Sequence, residues 1–451
     1  MIRIRQIEVN INEDSIDKIK YSISKKLNIN SNDIKDIKIN KKSIDARHKP
    51  NINFIYEVDI DVVNEDNILK HNKSIDILKT PIEEYKIELI GTKKLNNRPI
   101  IVGSGPAGLY TAYNLAKNGY KPIIIERGQD VDNRVKTVET FFDINKLDTN
   151  CNVQFGEGGA GTFSDGKLNT LVKDPNFRNK EVLKIFVECG ANPDILYTNK
   201  PHIGTDKLRE VVKNLRNKII SMGGTFRFNT CLTNIMIKDN KIDSIEVNNN
   251  EIIKTDLLVL AIGHSARDTF ELLLNNNLDM EAKPFAIGIR IQHKQEMINM
   301  SQYGMKSHPK LENASYKLTY HSTNNRGVYS FCMCPGGFVV NASSEENRLA
   351  INGMSNSKRD TNNANSAIVV TITPDDFGNK PLDGVKFQRN LEAKAYKLGN
   401  GNIPVQLFKD YNSNNISKSF KDIEPVFKGN TTFANINDIF PDYINDALKE
   451  G

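Results

Sequence analysis

Between residues 98 and 126 the chain reads strand, glycine turn, helix, strand, acid, and few folds accommodate that order. Arg98-Pro99-Ile100-Ile101-Val102 is an apolar strand. Gly103-Ser104-Gly105-Pro106-Ala107-Gly108 fits G-x-G-x-x-G. Leu109 to Asn118 has helical spacing, with Leu109, Ala112, Leu115 and Ala116 on one face, and Gly119 ends it. Pro122 to Glu126 is the next strand. Each glycine has its own reason. Gly103 permits the tight turn, Gly105 lets the backbone approach a pyrophosphate, and Gly108 lets helix and strand pack closely. The helix, entered through Pro106 and Ala107, then presents unbonded N–H groups and a positive dipole end to the phosphates. Glu126 is placed to accept from ribose hydroxyls and to repel a 2′-phosphate. The pattern alone is weak; this context on both sides predicts a Rossmann-like dinucleotide unit.

Glu126-Arg127-Gly128, with Arg127 a cofactor-binding candidate, is followed by Arg134, a candidate pyrophosphate partner. Asn152 to Leu168 then carries five glycines, at 156, 158, 159, 161 and 166. So much bare backbone suits a loop lying along an extended cofactor. Gly158, Gly159 and Gly161 would supply close approach, and Thr162, Ser164 and Lys167 the donors; a surface loop is the alternative. No strand ending in an acid follows, so this is not a second Rossmann turn. Asp256 to Ser265 reads as a buried strand ending in a turn at Gly263. One fingerprint, a long glycine loop and this late turn together favour FAD over NAD as the bound cofactor.

Residues 1–95 form a separate module. Ile2, Ile4, Ile7 and Val9 mostly alternate with polar residues, and Ser15 to Leu27 has helical spacing through Ile16, Ile19, Ile23 and Leu27. Ile34 to Ile39, Phe54 to Val63 and Tyr85 to Leu89 read as strands, and Lys41 to Pro50 as a basic loop. From about 275 to 425 short strands recur at 285–291, 327–331, 338–342 and 367–373, with a helix near 386–398. The 451 residues carry 61 Lys+Arg against 55 Asp+Glu, a net +6 without a basic block, which argues against a nucleic-acid protein. The first 96 residues carry 18 basic and 16 acidic side chains. No run reaches membrane-span length, and five cysteines in so long a chain make no disulfide scaffold, so a cytoplasmic protein is expected.

Cys332-x-Cys334 is the redox candidate: a disulfide closed over so short a ring would be strained and easily reduced. Packing beside Pro335-Gly336-Gly337 is the commoner role of buried cysteine. His264 could contact cofactor, act as acid or base, or cap a turn. Arg290 with His293 would form a cationic pair for an anionic substrate, a surface strand being the alternative.

These residues resemble a bacterial family of uncharacterised FAD-dependent dehydrogenases, also labelled NAD(FAD)-utilising dehydrogenases. That family is related to flavoproteins of the glutathione-reductase structural class. The resemblance runs along the whole chain. It is carried by 42–47, Val102 to Gly108, Gln154 to Leu168, Pro201 to Asp206, Gly263 to Thr269, and Tyr329 to Gly337. It implies non-covalent FAD and leaves the substrate open; NAD(P)H, or another electron partner, is expected to exchange electrons with it transiently. Family members continue into a glycine-rich closing segment that has no counterpart after Pro441 to Leu448, so the chain is expected to be truncated at its C-terminus.

The expected architecture is α/β: an N-terminal module at 1–95, a Rossmann-like FAD-binding domain at 96–274, an inserted sheet-rich substrate domain at 275–430, and the start of a return to the FAD domain at 431–451. The expected function is an FAD-dependent oxidoreductase moving hydride or two electrons between a small organic molecule and FAD. The alternatives are a thiol–disulfide reductase using Cys332 and Cys334, or a non-catalytic FAD-binding protein. The oligomeric state is left open.

Overall fold

The computed structural model describes residues 1–88, 91–170 and 172–451. The chain divides into two compact units. The first comprises Met1–Ile90, Lys167–Ile203 and Glu296–Ala314; the second comprises Gly91–Gly166, Gly204–Gln295 and Ser315–Gly451. Segments 167–203 and 296–314 thus join the N-terminal residues, where the sequence placed them in the cofactor and substrate domains.

In the first unit, β1 (Ile2–Asn10), α1 (Ile16–Leu27), β2 (Ile34–Asp45), β3 (Asn53–Val62), α2 (Glu65–His71) and β4 (Ile77–Lys79) form an antiparallel sheet of order β2-β3-β1-β4 with two helices. This is the split βαβ arrangement. The imperfect alternation of β1 has a structural cause. The register shifts between Ile4 and Ile7, and Gln6 takes φ 55°, so the buried set passes from Ile2 and Ile4 to Ile7 and Val9. Ser15 caps α1 by accepting from the Lys18 N–H at 3.2 Å. Ile19, Ile23 and Leu27 enter the core, while Ile16, at the first turn, stays half exposed.

Three expectations change here. β2 continues to Asp45, so half of the expected basic loop is strand, and its Lys42 pairs with 197–199 through bonds of 2.7 and 2.9 Å. Tyr85–Glu88 is not strand, and Leu89 lies outside the described residues. β4 takes that edge place instead, pairing with β1.

In the second unit, β5 (Ile100–Val102), α3 (Pro106–Lys117), β6 (Ile123–Ile125), α4 (Val131–Ile144), α5 (Thr205–Ser221) and β7 (Thr225–Arg227) begin a doubly wound layer. An antiparallel excursion follows through β8 (Leu232–Lys238), β9 (Lys241–Val247) and β10 (Glu251–Lys254). The chain then returns as β11 (Leu258–Leu260) and α6 (Arg267–Asn275). The parallel sheet has order β11-β5-β6-β7. The chain leaves β5 to one side and returns on the other, so a topological switch point lies at the C-terminal end of β5. β11 is an end strand, and Leu257 and Leu260 stay more than a third exposed, so the expected fully buried strand is an edge.

The remainder holds β12 (Phe285–Lys294), β13 (Thr319–His321), β14 (Gly327–Cys334), β15 (Phe338–Asn341), β16 (Ile351–Met354) and β17 (Asn363–Ile372). It continues with α7 (Asp383–Leu398), β18 (Ile403–Val405), β19 (Phe427–Lys428), β20 (Thr431–Phe433) and α8 (Asp442–Glu450). Its sheets have orders β12-β17-β14-β13, β16-β15-β19 and β18-β20. Val328, Val370 and Ile372 pack beneath Ile444, Ala447 and Leu448 of α8.

Candidate functional site

The C-terminal ends of β11, β5 and β6 border a cleft of about 470 Å³, inside the size range of small-molecule and cofactor sites. Gly103 has φ +100°, and a Cβ there would lie 2.4 Å from the Ala261 carbonyl. A Cβ on Gly108 would lie 1.9 Å from the Gly103 carbonyl. Gly108 thus serves helix–strand packing, as its place in the motif requires, and does not line the cleft. Gly105 is the N-cap of α3 with Pro106 at the first position, so the free N–H groups of that helix face the cleft wall formed by Gly105, Pro106 and Ala107. Gly161 and Gly263 also line it, and a Cβ on either would meet nothing within 4 Å. Space of that kind against bare backbone, beside a helix N-terminus, fits a dinucleotide such as FAD.

Glu126 borders the cleft but is 6% exposed and heavily engaged. One carboxylate oxygen accepts from Ser104 N–H at 2.9 Å and Ser104 Oγ at 2.8 Å. The other accepts from Gly128 N–H at 3.0 Å and Gly156 N–H at 3.1 Å. It therefore ties the fingerprint turn, its own strand end and the second glycine loop together. Arg127 lines the cleft with its guanidinium 4.5 Å from the Phe155 ring centre and bonded to Asp268 at 2.8 Å.

Arg134 is corrected. It is fully buried, away from the cleft, and its donors bond the carbonyls of Asn152, Val153, Gly156, Glu157 and Gly159 at 2.6–3.1 Å. With its donors committed it holds the glycine loop and is not a pyrophosphate ligand; burial brings its pKa down to about 10. The same reasoning corrects Gly158, expected to approach the cofactor, and the expected donors Thr162 and Ser164. Gly158 N–H bonds the Ser104 carbonyl, Thr162 Oγ1 donates to the Glu157 carbonyl, and Ser164 Oγ donates to the Gly161 carbonyl. All three lie behind the loop surface, which reaches the cleft through Gly156, Gly159, Ala160 and Gly161. Lys167 belongs to the first unit, where it bridges to His202.

His264 lines the cleft beside Ser265, whose Oγ bonds Gln154. Desolvation, then the nearby Arg267 charge, lowers its pKa below the ordinary imidazole value. Cys332 and Cys334 sit on β14 and do not line the cleft. No disulfide joins them: Cys334 Sγ donates to the Cys332 carbonyl at 3.3 Å, and Cys332 has φ +48°. Arg290 and His293 do not make a cationic pair, since burial lowers the His293 pKa and its Nε2 bonds Tyr316 at 2.8 Å.

The sequence reading missed Gln154, Phe155, Thr230, Cys231 and Thr269 in the cleft wall. Thr230 and Cys231 follow β7, whose three residues carry too little pattern to be recognised; the rule that ligands gather at parallel strand ends was the available signal.

The sequence profile described as "FAD-dependent protein, C-terminal domain-like" matches residues 284–451. An "NAD(P)-binding Rossmann-like domain" profile matches 101–157, and a domain of unknown function matches 1–61. A Clostridium beijerinckii protein, described as an uncharacterized protein, is 48% identical over all of this chain and 85% of its own length. The digeranylgeranylglycerophospholipid reductase of Methanococcus vannielii is 36% identical over 12% of this chain and 14% of its own. Among solved structures, Thermovibrio ammonificans THI4 is 18% identical over 41% of this chain and 63% of its own, with TM-score 0.28. The halogenase PltM in complex with phloroglucinol and FAD is 13% identical over 66% of this chain and 56% of its own, with TM-score 0.29. No helix among the described residues is long and apolar enough to cross a membrane. The chain belongs to the same family as the Clostridium protein and, with an FAD-dependent C-terminal domain joined to a Rossmann-like fold, is an FAD-dependent oxidoreductase.

Proposed function

We propose that the enzyme is a dehydrogenase moving hydride or two electrons between a small organic substrate and FAD, with NAD(P)H as a transient donor. One observation carries the cofactor placement: three parallel strand ends meet the N-terminus of α3 at one glycine-walled cleft. In this reading Gly105 and Ala107 bind the pyrophosphate through backbone N–H groups, Gly103 and Pro106 shape the turn beside it, and Gly159, Gly161 and Gly263 lie against the cofactor. Arg127 supplies positive charge at the adenosine side, and Glu126 orders the turns around it. FAD, when bound, supplies the two-electron chemistry. His264, kept neutral at physiological pH, accepts a proton at the cleft mouth. Placement in the glutathione-reductase class, the division at 95, 274 and 430, and a cytoplasmic setting belong to the same reading.

The test is the visible spectrum of the purified chain after FAD addition and gel filtration, followed by anaerobic NADH or NADPH. Retained flavin that bleaches with either nucleotide is expected. Flavin that is lost on filtration, in a folded protein, sinks the cofactor placement. The left-handed backbone of Cys332 favours the dithiol relay as a second reading. In that case Cys332→Ser or Cys334→Ser abolishes turnover without releasing flavin.

A further inference from the structure

The second unit contains another cavity, of about 190 Å³, along β12, which ends its sheet. Its walls are mostly apolar, with Ile289, Ile351, Val405, Phe420 and Phe427 among them and Gln292 and Gln406 as polar exceptions. Among the described lining residues Arg290 is the only charged one. An apolar cavity of about 150 Å³ is enough to hold benzene, so this one suits a single ring or a short branched chain.

Arg290 is half-buried, and its placement is fixed. Nη1 donates to Asn365 Oδ1 and, at 3.3 Å, to the Cys332 carbonyl. Both acceptors are neutral, so its hydrogen bonds among the described residues leave the charge uncompensated. A guanidinium can only donate, which orients the Asn365 amide with its oxygen toward Arg290. The amide nitrogen is then left buried without a partner in a residue of zero exposure. A buried donor of this kind calls for an acceptor. Gly353 of β16 makes room for the pair: a Cβ there would lie 2.2 Å from Arg290 Nη1 and 2.4 Å from Asn365 Oδ1.

We propose that Arg290 and Asn365 form an anion subsite and that the adjoining cavity takes the apolar body of the same ligand. The substrate class is a small organic acid with one aromatic ring or a compact aliphatic chain. A carboxylate matches both a planar guanidinium and a neighbouring amide donor. This substrate class rests on the dehydrogenase reading, whereas the binding site itself does not.

The test is isothermal titration of the FAD-treated full chain with benzoate, benzyl alcohol and benzylamine, with the flavin band recorded on each sample. Saturable benzoate binding, at least tenfold weaker benzyl alcohol and no benzylamine binding are expected. Arg290→Gln should weaken benzoate at least tenfold and leave benzyl alcohol unchanged. Ile351→Phe should block both by filling the cavity. Should R290Q not fold, Gly353→Ala displaces the guanidinium with its charge kept and should weaken benzoate likewise. Benzoate binding unaffected by R290Q or G353A, or its absence in folded wild type, overturns the proposal. Flavin retained without benzoate binding sinks the pocket alone. Benzoate bound by a colourless protein supports the pocket and sinks the cofactor reading beneath the substrate class.

Discussion

The two glycine-rich turns of the second unit, 103–108 and 156–161, look alike in sequence and behave differently. The first is open. It turns from strand to helix, and its unspent N–H groups face the cleft. The second is closed behind. Arg134 takes three of its carbonyls and two more just before it, at Asn152 and Val153, and Glu126 and Ser104 take its amides at Gly156 and Gly158. Glycines serve the first by leaving donors bare for a ligand. They serve the second by letting the chain fold over a buried guanidinium: a Cβ on Gly156 would lie 2.4 Å from Arg134 Cδ. A glycine count therefore does not distinguish a binding loop from a scaffolded one; the partners behind the backbone do.

The contrast can be broken most forcefully at Arg134. Arg134→Ala strands five carbonyls, at about 1 kcal/mol or more each, and should cost about 4 kcal/mol in chemical denaturation while abolishing flavin retention. An effect within 1 kcal/mol would mean that the loop stands without its clamp. Next, Glu157 is fully buried, with one oxygen bonded to Val131 N–H and 3.2 Å from Arg216, and the other without a partner. Desolvation, with Asp130 and Asp132 nearby, raises its pKa to about 7, against Arg216 and the Val131 bond. The folded pKa lies above the unfolded one, so this group's contribution is intact below about pH 4.5 and is lost as pH rises through 7. Glu157→Gln should gain up to about 3 kcal/mol more at pH 8 than at pH 5, measured by urea denaturation at both pH values.

Gly108→Ala drives a Cβ into the Gly103 carbonyl, and a loss of about 2 kcal/mol in the same assay is expected. Gly161→Ala meets open space and should change stability by less than about 0.5 kcal/mol. It should nonetheless weaken FAD about tenfold in a fluorescence titration, because that space belongs to the cofactor. Equal effects of these two alanines would erase the distinction between packing and ligand glycines.

The Rossmann unit was legible because strand, turn, helix and acid constrain one another over a few tens of residues. The ends of α3 and β6 differ from expectation by only a few positions. Arg134 was misjudged because sequence shows its charge and not which side of the loop it occupies. β7 and β4, three residues each, carry too short a pattern to read. Lys167, from the same glycine segment, passes into the other unit, a long-range event with no local signature. His264 was legible through its place after a strand and a glycine.

The guanidinium beneath the second glycine loop has a kinetic consequence. A segment so rich in glycine would ordinarily lose much conformational freedom when a ligand settles on it. Here that ordering happens during folding, as the loop closes on Arg134. Cofactor capture then meets a surface already shaped, so the encounter should approach rigid docking, with one fast association phase and no slow rearrangement behind it.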